Sequence, residues 1–111
     1  MAEVPRLSAE QRATALATAL AGRAARAQAR ADLKAGRLSL PELLERAAGN
    51  SQLASMRVPD LLAALPGYGR VRAATLLAEL GIAESRRIRG LGPHQRAALL
   101  QRIPHGAQSR S

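Results

Sequence analysis

Gly67 and Gly69 stand one residue apart, preceded by Pro66 and followed by Arg70, Val71 and Arg72, in a chain that has only 9 glycines. At a helix N-terminus the first N–H groups have no intrahelical partner, and the helix dipole adds partial positive charge there. Glycines before such a terminus let a phosphate oxygen reach the amides without meeting a Cβ. Arg70 and Arg72 can then add charge-assisted hydrogen bonds to the same anion or its neighbour. An ordinary turn in which glycine only supplies a positive φ between two helices is the competing reading, and Gly-x-Gly alone does not separate the two. With Pro66 before it and two arginines after it, phosphate binding is the favoured one.

Arg86, Arg87 and Arg89 form a second cluster around Ile88, just before Gly90-Leu91-Gly92. Three cations in so short a run cannot all face a core, so at least two are expected to project outward, either into solvent or towards an anion. Other chemistry is poorly served. Cysteine is absent, which excludes disulfides, thiolate metal sites and a Cys nucleophile. His94 and His105 lie far from any paired carboxylate or metal-ligand spacing, and no enzyme constellation or cofactor motif is present.

The charge balance agrees with an anionic partner. Lys+Arg number 17 against 8 Asp+Glu, a formal charge of +9. Such a balance attracts polyanions at long range, although a GC-rich genome also enriches arginine and alanine. Seven arginines between residues 62 and 102 oppose only Glu79 and Glu84, so the charge is concentrated where the glycine turn lies. His94 and Arg96 read as surface residues of the last helix. Residues 13–21 (ATALATALA) faintly imitate a signal peptide, but Glu3 and Glu10 before them and arginines after them argue against secretion. No run approaches the ~18 apolar residues of a membrane span.

The elements that must position these groups read as helices. With no Phe, no Trp and one Tyr, the core must be built from Leu, Ile, Val and Ala, which suit short helices better than a pleated sheet. The fold class predicted is all-α: a long Ala/Arg-rich N-terminal helix followed by a compact bundle of short helices. Residues 1–7 read as a flexible start, 8–36 as the basic helix, 38–103 as the compact domain and 104–111 as a flexible tail. Ser8 with Gln11 and Ser39 with Glu42 mark helix starts, and Gly36 and Gly49 mark ends. Residues 50–57 read as a connection with room for a helical turn of its own, and Pro59 as the opening of a third short helix whose Leu61, Leu62 and Leu65 face the core. A fourth helix is expected over 70–80 with Val71, Ala74, Leu77 and Leu80 on its buried side. The last starts at Pro93 behind Gly92, buries Leu99, Leu100 and Ile103, and ends at Pro104. On the first helix, Arg12, Arg23, Arg26, Arg30 and Lys34 fall within a sector of roughly 80°. That stripe is either a solvated face or a phosphate-facing one.

The stretch LLAALPGYGRVRAATLLAELGIAESRRIRGLGPHQRAAL, with the Met56-Arg57-Val58 connection and the arginine-rich first helix, resembles the actinobacterial, mycobacterial-type integration host factors. The resemblance covers about residues 8–103, and LPGxGRVRA with GIAESRRIRGLG is its most specific part. It implies an all-helical monomer with a helix–two-turns–helix module that binds double-stranded DNA with little sequence preference. It further implies DNA bending or altered topology, support of phage integrase within a nucleoprotein complex, transcription regulation and chromosome organisation, in the cytoplasm at the nucleoid. The family's glycine turn falls on Gly67, Tyr68 and Gly69 with Arg70, Val71 and Arg72, and its second basic site on Arg86, Arg87 and Arg89. Its DNA-facing first helix maps loosely onto Arg23, Arg26, Arg30 and Lys34. Tyr68 departs from the small aliphatic usual between the glycines, and its ring is expected to pack partly inward. The same module occurs in an RNA-binding structural protein of the ribosomal small-subunit head type. That protein continues into a long basic C-terminal extension, missing here, and lacks the arginine-rich leader helix. DNA glycosylases that use the module need further catalytic domains for which 111 residues leave no room.

Overall fold

The computed structural model describes residues 8–103, so the readings of 1–7 as a flexible start, of 104–111 as a tail and of Pro104 as a stop lie outside the described residues. Helix α1 (Ala9–Ala35) begins behind a reciprocal capping box. The Gln11 N–H donates to Ser8 Oγ at 3.0 Å and the Ser8 N–H donates to Gln11 Oε1 at 2.8 Å. Gly36, at φ 79°, closes the helix in the left-handed conformation. Beyond it Arg37 folds back onto Asp32 at 2.9 Å. The hydrogen bond from Arg37, and then that from Gln28, hold the Asp32 carboxyl below the usual carboxylate range.

Only the second half of α1 is packed. Gly22, Ala29 and Leu33 are buried, whereas 8–21 are exposed throughout. A helix of 27 residues is about 40 Å long. It gives the molecule extents of 60 × 28 × 24 Å.

Helix α2 (Leu40–Ala48) repeats the capping box with Ser39 and Glu42 and buries Leu40, Leu43, Leu44 and Ala47, a single stripe at i, i+3, i+4, i+7. A short helix α3 (Ser51–Ala54) sits in what the sequence reads as a connection, its first N–H groups bonded by Asn50 Oδ1. Helix α4 (Val58–Ala63) starts one residue before Pro59, and Leu65 is buried from the turn that follows it. Helix α5 (Arg70–Leu80) has the expected ends but a different buried side. Ala73, Leu76 and Leu77 are inside, while Val71 is 82% exposed and Ala74 only half-buried. Two stripes compete at helical spacing, and α4, packed against α5, selects the one running through Ala73 and Leu76. After Gly81 a 3-10 turn (Ile88–Gly90) leads to α6 (Pro93–Arg102), which buries Leu99, with Ile103 buried just beyond it.

Strands are absent among the described residues, yet one antiparallel bridge pairs Arg57 with Arg87. The Val58 N–H donates to the Arg86 carbonyl at 2.9 Å and the Ile88 N–H to the Met56 carbonyl at 2.9 Å. This pairing fixes the second arginine cluster against the segment between α3 and α4. The core it closes over is aliphatic, and no polar or charged residue is fully buried among the described residues. Full burial of each leucine such as Leu33, Leu43, Leu61 and Leu77 contributes about 1.5–3 kcal/mol.

Gly67 needs its residue type for conformation, with φ at 80°. Gly67→Ala is expected to destabilise the fold by about 1–2 kcal/mol, read as a lower urea midpoint at unchanged slope. An unchanged midpoint would mean that the turn relaxes out of the left-handed region at no cost.

Candidate nucleic-acid interface

The glycine turn joins α4 to α5 through Leu65, Pro66, Gly67, Tyr68 and Gly69. Tyr68 is half-buried against the core, as its single apolar ring suggests, and the Arg72 guanidinium lies 4.3 Å from the ring centroid. Arg72 also donates to the Gly67 carbonyl at 3.0 Å, so it braces the turn from the helix side. Arg70 pairs with Asp60 at 3.0 Å while its side chain stays 75% exposed. Such an exposed pair is worth little and yields readily to a stronger anion.

Gly69 differs from Gly67 in an informative way. It is the N-cap of α5 at φ −132°, extended backbone that any residue adopts, and no heavy atom lies within 4 Å of where its Cβ would stand. Neither conformation nor packing in the free protein calls for glycine there. The helix start has no side-chain cap either, so its first amides face an open surface.

That surface is a groove of about 400 Å³ whose walls bring Arg30 and Lys34 of α1 beside Gly69 and Arg70, with Asp60 as its single carboxylate. Residues from 30 to 70 in the chain thus meet at one helix terminus. The rest of the α1 stripe divides: Arg23 is exposed, and Arg26 is half-buried with Nη1 at 3.4 Å from Ser55 Oγ.

Ser55 is also where the second cluster arrives. Arg87 donates to the Ser55 carbonyl at 2.6 Å and Arg86 to the Gly90 carbonyl at 3.0 Å, and both are half-buried. None of the three arginines is buried and Arg89 is exposed, but backbone carbonyls left over by the 3-10 turn and by α3 hold two of the guanidiniums that the sequence expects to project outward. Each of these guanidiniums has five N–H donors, so one such bond does not exhaust it. Arg89 lines a second groove of about 640 Å³ together with Asn50 and Arg96. Sequence reasoning missed that neighbourhood, because the Gly92-Pro93 break hides the approach of Arg96 to Arg89. It missed Ser55 altogether, and no local signal marks it. Among the described residues no group of His, Asp and Glu could hold a metal ion.

Residues 33–103 match the family of S13-like H2TH domains, H2TH being the helix–two-turns–helix module. The integration host factors of Mycobacterium tuberculosis and Mycolicibacterium smegmatis are each 46% identical over 100 residues, aligning 90% of this chain and 95% of theirs. The chain belongs to the integration host factor family. The Streptomyces coelicolor integration host factor is likewise 46% identical, over 96 residues. A solved structure of sIHF bound to an 8-base-pair palindromic DNA superposes with a TM-score of 0.75 at 42% identity, covering 77% of this chain and 96% of that one. Integration host factor likeness thus extends through α1 as well as the H2TH domain.

Proposed function

We propose that this integration host factor is a non-catalytic, nucleoid-associated protein that binds double-stranded DNA through its phosphates. The observation that carries the reading is the groove in which Arg30 and Lys34 converge with Gly69 and Arg70 on the start of α5. An unneeded glycine, uncapped amides and three cations suit a phosphate oxygen, and a phosphate contact carries no sequence information. Sequence preference would then come from the shape and deformability of the duplex. The sIHF neighbour in complex with DNA and the names of the relatives support the same reading.

The shape of the molecule suits a larger role on the duplex. A rigid basic helix that leaves the bundle from the phosphate groove can hold a second stretch of the same duplex and so bend it or alter its topology. A bent complex suits assembly with phage integrase and, more widely, transcription regulation and chromosome organisation. The protein acts as a monomer in the cytoplasm at the nucleoid, with Arg23, Arg26, Arg86, Arg87, Arg89, Val71 and Arg72 extending the contact surface. No helix among the described residues is long and apolar enough to cross a membrane.

Fluorescent duplex titrated with the protein, with structured RNA as competitor, tests the reading. Retention of the duplex against equal RNA is expected, and preferential capture by RNA would favour the ribosomal-type alternative. In the same assay Arg30→Gln with Lys34→Gln should weaken binding across sequences and make the logarithmic salt slope shallower by about 2. Both side chains are exposed, so helical circular dichroism should stay unchanged.

A further inference from the structure

Leu16 and Leu20 are 58% and 52% exposed on the half of α1 that packs against nothing described. They stand one helical turn apart, about 6 Å along the axis. At about 100° per residue they point well away from the side that Gly22, Ala29 and Leu33 bury. They fall instead within the same sector of roughly 80° as Arg12, Arg23, Arg30 and Lys34. An apolar pair is therefore set inside a basic stripe.

That interleaving selects the partner. A second copy of the chain would bring the basic stripe, Arg23 included, against the same stripe of its partner around two leucines, in a molecule of net charge +9. A polyanion with an apolar interior meets both requirements, and the duplex held at the glycine turn is one. Resting on the DNA-binding reading, we propose that Leu16 and Leu20 form a wedge that α1 presents to the minor groove of that duplex. Flanking cations take phosphates on the groove walls. The isobutyl groups displace water from deoxyribose and base edges and partly unstack a base step, as apolar side chains do when architectural proteins kink DNA. The spacing is suitable, since two base steps occupy about 6.8 Å and the two leucines about 6 Å. From Lys34 at the phosphate groove to Leu20 and Leu16 is about 21–27 Å along a continuous helix, or roughly six to eight base pairs of an adjacent duplex.

The test uses the full chain and a duplex with 2-aminopurine at several TA steps and a dye at each end. Binding of the parent protein should raise 2-aminopurine emission, which reports unstacking, and shorten the distance between the dyes. Leu16→Ala with Leu20→Ala should abolish both signals, weaken binding by about five- to tenfold and leave the salt slope unchanged. Alanine keeps the helix, so circular dichroism should not fall. Leu16→Met with Leu20→Met should restore both signals. Salt-steep binding by the parent without any rise in emission would overturn the wedge while leaving the DNA-binding reading intact, as would a rise that the alanine variant retains. A fall in sedimentation mass of the free alanine variant would assign the leucines to a second copy and also overturn it. Absence of salt-steep duplex binding by the parent would sink the reading and the wedge together.

Discussion

Gly69→Asp should raise the thermal midpoint of the protein and at the same time reduce duplex affinity by at least about a hundredfold. The two effects have one origin. Position 69 is the N-cap of α5, its backbone is extended, and the space where a side chain would stand is open. Aspartate there accepts from the first amides of α5 and faces Arg30, Lys34 and Arg70, so folding gains about 0.5–1 kcal/mol. The same carboxylate occupies the place proposed for the phosphate and adds a like charge to it. A repulsion near 4 Å costs on the order of 4 kcal/mol at a surface-like dielectric, on top of the lost amide bonds. Melting followed by a duplex titration of the same sample checks both halves. A stabilised variant that still binds with parental affinity would remove the glycine turn from the interface.

Raising salt from about 50 to 200 mM should weaken duplex binding roughly a thousandfold. Five to seven neutralised phosphates give a slope of about −5 to −6 in logarithmic units, and a fourfold rise in salt then spans about three decades. The number of phosphates follows from the cations that remain available. Arg23, Arg30, Lys34, Arg70 and Arg89 are exposed, and Arg70 gives up only a surface pair with Asp60 when it moves to a phosphate. Arg72, Arg86 and Arg87 already hold backbone carbonyls and contribute through their remaining donors. Titrations at four or five salt concentrations measure the slope. A flat profile would mean that recognition does not run through phosphates at all.

Helix ends were legible because local chemistry sets them. Ser8 with Gln11, Ser39 with Glu42, Gly36 and Pro93 act within a few residues of themselves, and the structure uses each as the sequence suggests. The buried side of α5 was not legible. Val71-Ala74-Leu77-Leu80 and Ala73-Leu76-Leu77-Leu80 are both helical stripes, and the choice depends on where α4 lies. Pairing of 56–58 with 86–88 joins segments thirty residues apart through backbone groups, which carry no residue signature. For the candidate site, the glycine turn and its arginines could be read directly, since their chemistry is local. Convergence of Arg30 and Lys34 on Gly69 could not, because it depends on the angle at which α1 meets α4. Nor could the bonds of Arg86 and Arg87 to carbonyls: a run of arginines in a sequence gives no hint of which acceptors the backbone leaves unpaired.

The aliphatic core has an optical consequence. With no tryptophan and a single tyrosine in the chain, all intrinsic fluorescence originates from Tyr68, under the Arg72 guanidinium and between the two glycines. The protein therefore carries one native reporter, located at its proposed binding turn and nowhere else. Quenching or enhancement of that emission describes the turn alone, free of any background from the scaffold. With no cysteine either, a thiol introduced on α1 would accept a dye at one position only, so the turn and the distant helix could be followed separately in a single molecule.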